Sequence, residues 1–187
     1  MKILIISGAA SKEGVTHSFA QAAYEAAKES AKDAEIMHLM DYKLPVCRMC
    51  NDDGWGTCMS HHQCDLGGGD NFNELQEQVN TADAYVLITP VYWGGLSESM
   101  KIFFDRILRC QGSKQWDDKV GDSYLTGKPC ILVANAGGSG GGALRGLEQL
   151  QHFTWCISGK VHDYIAVNRW NQEYKRETLR AAVKALG

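Results

Sequence analysis

The chain has 187 residues, 44% of them hydrophobic, and a formal net charge of −3 at pH 7, values typical of one globular domain with a substantial core. The sequence contains no lysine or arginine run, which argues against nucleic-acid binding, and no apolar run long enough to span a membrane. The apolar stretch at residues 1–7 is too short for a secretory signal, and seven cysteines without such a signal favour reduced thiols or metal ligands in a cytoplasmic protein.

The spacing of apolar residues predicts strands and helices that alternate along the chain. Five strands are expected, at residues 2–7, 34–39, 84–89, 130–135 and 161–167, and five helices, at residues 16–32, 71–82, 97–109, 142–156 and 172–186. This alternation is typical of a doubly wound α/β fold with a parallel sheet and right-handed crossovers. Residues 40–70 lack periodicity, and such a long irregular segment is usually functional. We therefore predict one domain, residues 1–187, with a long excursion at residues 40–70.

The loop after the first strand, residues 8–18, contains groups that suit a phosphate. Ser11, Gly14, Thr16 and Ser18 offer backbone N–H groups and small hydroxyls ahead of a helix N-terminus. The loop matches neither a Walker A sequence nor the dinucleotide-binding fingerprint. Two interpretations stay open: a phosphomonoester site, and an ordinary helix N-cap at Thr16 or Ser11.

Two further loops follow predicted strands at the same edge of the sheet, where open α/β sheets bind ligands. The first places two aromatic residues beside a glycine pair, which suits a flat conjugated ligand; its residues are Pro90, Val91, Tyr92, Trp93 and Gly94. The second is the glycine-rich loop at residues 135–142, which permits close backbone approach to a ligand. The alternative for the first loop is that its aromatic residues pack on the sheet edge. The alternative for the second is a flexible surface linker.

The excursion contains four cysteines with the spacing C-x2-C-x7-C-x5-C: Cys47, Cys50, Cys58 and Cys64. Four thiolates this close in sequence can hold an iron–sulfur cluster or a zinc ion. The sequence leaves three alternatives open, namely a [4Fe–4S] cluster, structural zinc and cysteines without metal.

Taken together, these loops resemble those of the NADPH-dependent FMN reductase and multimeric flavodoxin family, including its iron–sulfur flavoprotein branch. The family's first loop typically reads Gly-Ser-x-Arg-x-x-Gly-Asn-Thr; Gly8, Gly14 and Thr16 match it, whereas positions 9, 11 and 15 hold Ala, Ser and Val. The family's Ser-Pro-Val-Tyr block and its Lys-x-Phe-x-Asp-Arg sequence correspond to residues 89–92 and 101–106. The similarity extends over nearly the whole chain.

The resemblance implies a flavodoxin-like, five-stranded parallel sheet of order 2-1-3-4-5 with FMN at its switch point. It places the flavin ring against residues 90–94. It assigns the phosphate to Ser11, Gly14, Val15, Thr16, His17 and Ser18, and the other edge of the ring to Asn135, Gly137 and Gly138. Because the flavin carries the redox chemistry, no catalytic side chain is expected.

The resemblance also implies a function, with alternatives. The leading hypothesis is an FMN-dependent oxidoreductase or electron-transfer flavoprotein whose four excursion cysteines ligate a [4Fe–4S] cluster. Without a cluster, the chain would be an NAD(P)H-dependent quinone or FMN reductase. The third alternative is a non-catalytic module in which zinc orders a partner-binding loop. We expect small-molecule or protein electron donors and acceptors, a homodimer or homotetramer, and neither nucleic-acid nor membrane partners.

Overall fold

The computed structural model describes residues 1–66, 69–117 and 121–187. Its central layer is a sheet whose parallel strands run in the order β2-β1-β3-β5-β6. The strands are β1 (Lys2–Ser7), β2 (Asp33–His38), β3 (Ala84–Tyr92), β5 (Pro129–Asn135) and β6 (Lys160–Val167), and β4 (Gly95–Leu96) pairs antiparallel with the end of β3. The predicted order of the parallel strands is confirmed. The predicted number of strands was wrong, because the chain folds back after β3 to form a sixth.

The long helices lie where the apolar spacing predicts them, with shifted ends. They are α1 (Val15–Glu29), α3 (Phe72–Thr81), α4 (Glu98–Gly112), α5 (Ala143–Cys156) and α6 (Gln172–Ala185). α1 ends before the predicted residue 32 because Ala31 adopts a φ of +54°, which a right-handed helix cannot contain. A short helix, α2 (Thr57–Ser60), lies within the excursion and was not predicted.

Alternate residues of β1 face two separate hydrophobic cores. Ile3 and Ile5 pack in one core with residues of α1 and α6, including Phe19 and Leu179. Leu4 and Ile6 belong to the other core, which α3, α4 and α5 cover with Phe72, Leu75, Phe103, Ile107, Leu147 and Leu150. Successive strand residues point to opposite faces, so a sheet covered on both sides needs continuously apolar strands.

The carboxyl ends of three neighbouring strands lie side by side. Ser7 of β1 pairs with Ile88 of β3, and Pro90 of β3 pairs with Asn135 of β5. The loops that follow these strands therefore meet at one edge of the sheet. The topological switch point lies here, between β1 and β3, where the strand order reverses. Among the described residues, no helix combines the length and the apolar character needed to cross a bilayer.

Candidate functional site

A cavity of about 260 Å³ opens where the loops after β1, β3 and β5 meet. Most of the predicted cofactor-binding residues line it: Ser11, Gly14, Val15, Thr16, Pro90, Val91, Tyr92, Asn135 and Gly137. Ala9 and Ala10 line it as well. These two alanines were not predicted, because their side chains carry no functional group. The Ala9 N–H donates to the Ser7 hydroxyl at 3.3 Å, so the Ala10 N–H is the backbone donor of this pair that can bind a ligand.

The N-terminus of α1 reaches this cavity without a side-chain cap. Gly14 is the N-cap residue, with an extended backbone (φ −91°, ψ 174°), and the first turn contains no acidic residue. The interpretation of Thr16 or Ser11 as the N-cap was therefore wrong; the Ser11 hydroxyl instead accepts a hydrogen bond from the Glu13 N–H at 3.4 Å. Uncapped N–H groups and the positive end of the helix dipole together favour an anion here.

Asn135 connects the end of β5 to α1 across the cavity. Its Nδ2 donates a hydrogen bond to the buried Thr16 Oγ1 at 3.1 Å. Its Oδ1 is buried and has no hydrogen-bond partner in the described part of the chain. An unpaired buried carbonyl costs about 1–3 kcal/mol, so a ligand that donates a hydrogen bond to it gains affinity.

The turn after β3 presents aromatic residues at the mouth of the cavity. Trp93 and Gly94 both adopt left-handed backbone conformations, with φ of +53° and +83°. Trp93 is fully exposed and Tyr92 is half-exposed. Tyr92 lines the cavity, whereas Trp93 and Gly94 are not among its lining residues. A Cβ atom on Gly142, just before α5, would lie 2.7 Å from the Gly94 Cα, so the turn packs against a position that only glycine can fill.

His17, Ser18 and Gly138 are not among the lining residues. The Ser18 hydroxyl donates to the Val15 carbonyl at 2.8 Å. The His17 ring packs against the His38 ring, with centroids 4.9 Å apart, and the Nδ1 atoms of both rings are buried without a partner among the described residues. Burial, together with the neighbouring His17, lowers the pKa of His38. The His17 side chain therefore pairs with His38 and does not line the cavity. Its backbone N–H, in the first turn of α1, is the group that can contribute to binding.

The excursion cysteines do not gather into a metal centre. Across residues 1–66, 69–117 and 121–187, no group of three or more His, Cys, Asp or Glu side chains is placed to hold a metal ion. Cys58 and Cys64 are buried in the hydrophobic core, and Cys47 and Cys50 are half-buried. Burial raises the pKa of the Cys64 thiol, and the hydrogen bonds from Arg106 act in the opposite direction. The four side chains do not fit a cluster or zinc in this arrangement, and ligation by them stays a prediction.

Comparison with known proteins identifies related sequences. The model of the NADPH-dependent FMN reductase family matches residues 1–172. An iron-sulfur flavoprotein of Methanocaldococcus jannaschii is 31% identical over 127 residues, which cover 68% of this chain and 62% of that protein. FMN-dependent NADH:quinone oxidoreductase 2 of Bacillus licheniformis is 27% identical over 150 residues, which cover 73% of this chain and 70% of that protein.

A solved structure of a flavone reductase shares the fold. It aligns with a TM-score of 0.75 and 19% identity over 100% of this chain and 62% of its own. The chain spans less than two thirds of the length of the first curated relatives that it matches. Because the family model covers all but the last residues after position 172, the chain belongs to the NADPH-dependent FMN reductase family.

Proposed function

We propose that this chain is an FMN-dependent oxidoreductase that binds FMN in the cavity at the carboxyl edge of its sheet. One observation carries the proposal: the uncapped N-terminus of α1 and the unpaired Asn135 Oδ1 meet in the same cavity. The first suits a phosphate and the second suits a hydrogen-bond donor. FMN carries both kinds of group on one molecule.

The phosphate of FMN would bind to backbone groups more than to side chains. The N–H groups of Val15, Thr16 and His17 lie in the first turn of α1, where no intrahelical acceptor is available to them. The hydroxyls of Ser11 and Thr16 line the same cavity. Since alanine and valine stand at two positions where the family has serine and asparagine, the backbone contributes a larger share of this binding.

The flavin ring would lie against residues 90–92, with Gly137 on its other side. When bound, FMN supplies the chemistry of hydride or single-electron transfer. The side chains that line the cavity would then bind and orient the ring.

We further propose NAD(P)H as the electron donor and a small molecule such as a quinone as the acceptor. The name of the Bacillus relative, an NADH:quinone oxidoreductase, supports this assignment. The cluster-containing alternative has the support of the Methanocaldococcus relative, whose name is iron-sulfur flavoprotein, although the excursion cysteines are not arranged around a common centre in the described part of the chain. A homodimer or homotetramer is part of the proposal, and the fully exposed Trp93 is a side chain that such an assembly would cover.

The proposal predicts that a negative charge at Gly14 weakens FMN binding without unfolding the chain. A Cβ atom there meets only the Ser11 hydroxyl, at 3.7 Å, and aspartate is a preferred N-cap residue. In Gly14→Asp, the carboxylate should occupy the free N–H groups and repel the phosphate. We expect the Kd for FMN to rise at least about tenfold while the Kd for riboflavin, which lacks the phosphate, changes little. Quenching of flavin fluorescence measures both constants.

Gly14→Asn is the matched control, because asparagine caps the helix without a charge and should weaken FMN binding less than aspartate does. Equal weakening of FMN and riboflavin would place the phosphate elsewhere. A wild-type chain that binds neither flavin at micromolar concentration would overturn the proposed function. With FMN bound, oxidation of NAD(P)H in the presence of a quinone then tests the donor and the acceptor.

A further inference from the structure

A second cavity, of about 280 Å³, lies at the opposite edge of the sheet from the flavin site. Lys128, just before β5, donates hydrogen bonds to the carbonyls of Asn80 and Ala82, just before β3. Asn80 thus marks the edge where these strands begin, and it lines the cavity. The excursion, α3 and the segments after α4 provide the other lining residues: Ser60, His61, His62, Gln63, Gln76, Lys114 and Tyr124.

Lys114 is a buried cation with no counter-charge among the described residues. Its side chain lines the cavity, the residue is only 3% exposed, and no carboxylate or hydrogen-bond acceptor of the described residues pairs with its ammonium group. The Tyr124 ring covers one side, with its centroid 3.3 Å from Nζ, but carries no net charge. Burial lowers the pKa of Lys114. The contact with Tyr124 offsets only part of the free-energy cost of keeping the buried ammonium charged.

Gln76, on α3, is the second unsatisfied group in this cavity. The residue is 5% exposed, and its Nε2 donates to the His62 carbonyl at 2.8 Å. This bond fixes the orientation of the amide and leaves Oε1 buried without a partner among the described residues. Within the part of the chain that the structure describes, the cavity therefore combines a cation that lacks an anion with an acceptor that lacks a donor.

The imidazoles in this cavity already have partners. His62 Nδ1 lies 2.9 Å from the Ser113 hydroxyl and its Nε2 lies 3.3 Å from an Asp117 oxygen. His61 Nδ1 lies 2.8 Å from the Ser60 hydroxyl. The unmet interactions of this cavity therefore come from Lys114 and Gln76.

We infer that this cavity is a binding site for a small carboxylate that also carries a hydrogen-bond donor, the chemistry of an α-hydroxy acid. The carboxylate pairs with the Lys114 ammonium, and the hydroxyl donates to Gln76 Oε1. Burial strengthens the ion pair, since little water screens it. The site is separate from the flavin cavity, so its occupancy does not depend on the proposed FMN chemistry.

The test is a ¹H–¹⁵N NMR titration of the full chain with glycolate. We expect the largest shifts at the Gln76 side-chain amide and at backbone amides around Lys114. Acetate, which lacks the hydroxyl, and glycolamide, which lacks the charge, should each bind at least about tenfold more weakly than glycolate. Shifts confined to other surfaces, or none at tens of millimolar glycolate, would overturn the inference.

Lys114→Met should raise the Kd for glycolate at least about tenfold, since it removes the ion-pair partner. The variant should fold, because replacing an only partly compensated buried cation with an apolar side chain removes its desolvation cost. Lys160→Met is the matched control: Lys160 is exposed at the start of β6, at the same edge, and its loss should leave the Kd unchanged. Lys114→Gln provides the same comparison if the methionine variant misfolds. Equal affinity in wild type and the position-114 variant would refute the site.

Discussion

Asn135 stands at the end of β5 with one polar bond made and one polar atom unpaired. Its amide donates to Thr16, which ties β5 to the N-terminus of α1, while its carbonyl oxygen is buried and has no donor among residues 1–66, 69–117 and 121–187. An orphaned buried acceptor lowers the stability of the ligand-free protein, because folding removes it from water. A ligand that donates to this atom recovers the lost free energy on binding.

Asn135→Leu should therefore weaken FMN binding while leaving the free protein nearly as stable as wild type. Leucine removes the unpaired oxygen, which offsets the loss of the bond to Thr16, so we expect a stability change within about 1 kcal/mol. The Kd for FMN should rise about tenfold. Thr16→Val breaks the same bond but keeps the oxygen; because the Thr16 hydroxyl is also proposed to bind the phosphate, this control is measured with riboflavin, which lacks that group. Thermal unfolding without FMN and fluorescence titration separate the two effects; unchanged FMN affinity in Asn135→Leu would remove this oxygen from the site.

At the scale of elements, the turn after β3 depends on how closely α5 approaches it. Gly142 precedes α5 with a φ of +86°, and a Cβ atom there would lie 3.1 Å from Val91 Cγ1 in addition to its contact with Gly94. A side chain at this position would be strained by its own backbone and would also push the turn away from the helix. The position of the turn beside the cavity thus depends on α5, a helix that begins about fifty residues later in the sequence.

Gly142→Ala should destabilise the fold by about 1–3 kcal/mol and weaken FMN binding. The neighbouring Gly141→Ala is a matched control, because nothing lies within 4 Å of a Cβ atom at that position. We expect this control to change stability by less than about 0.5 kcal/mol. Urea unfolding and flavin titration of both variants provide the comparison. If Gly142→Ala changed stability and FMN affinity as little as Gly141→Ala, the close contact with α5 would not be what positions the turn after β3.

The elements that the sequence predicts correctly are those whose apolar pattern is local. β3 and β5 are buried on both faces, so a continuous apolar run identifies them, and the carboxyl-edge loops follow from the strand order. β4 has only two residues, so no periodicity can reveal it. Contacts between distant segments were equally hidden: Asn135 with Thr16, and His17 with His38, each join residues brought together only by the folded sheet and α1.

At the scale of the whole molecule, α4 holds the cysteine excursion through two arginines. Arg106 is fully buried; it donates to Cys64 Sγ at 3.3 and 3.2 Å and lies 2.8 Å from an Asp70 oxygen. Its guanidinium also stacks 4.1 Å from the centroid of Phe72, at the start of α3. Arg109, one turn later, donates to the Gly54 carbonyl at 2.7 Å. The family's Lys-x-Phe-x-Asp-Arg sequence thus ends in a residue that anchors the irregular segment to the core.

Arg106→Met should lower the free energy of unfolding by about 3–5 kcal/mol, because it leaves the nearly buried Asp70 carboxylate without its cation. Adding Asp70→Asn should recover part of this loss by removing the unpaired charge. Arg109→Met, the control on the same helix, should cost about 1–2 kcal/mol, because it removes the hydrogen bond to the Gly54 carbonyl and the cation–π contact with Trp55 but leaves no buried charge unpaired. Urea unfolding gives the free energies, and limited proteolysis reports release of the excursion. A loss below about 1 kcal/mol, together with stoichiometric iron or zinc by elemental analysis, would mean that a metal and not Arg106 anchors this segment.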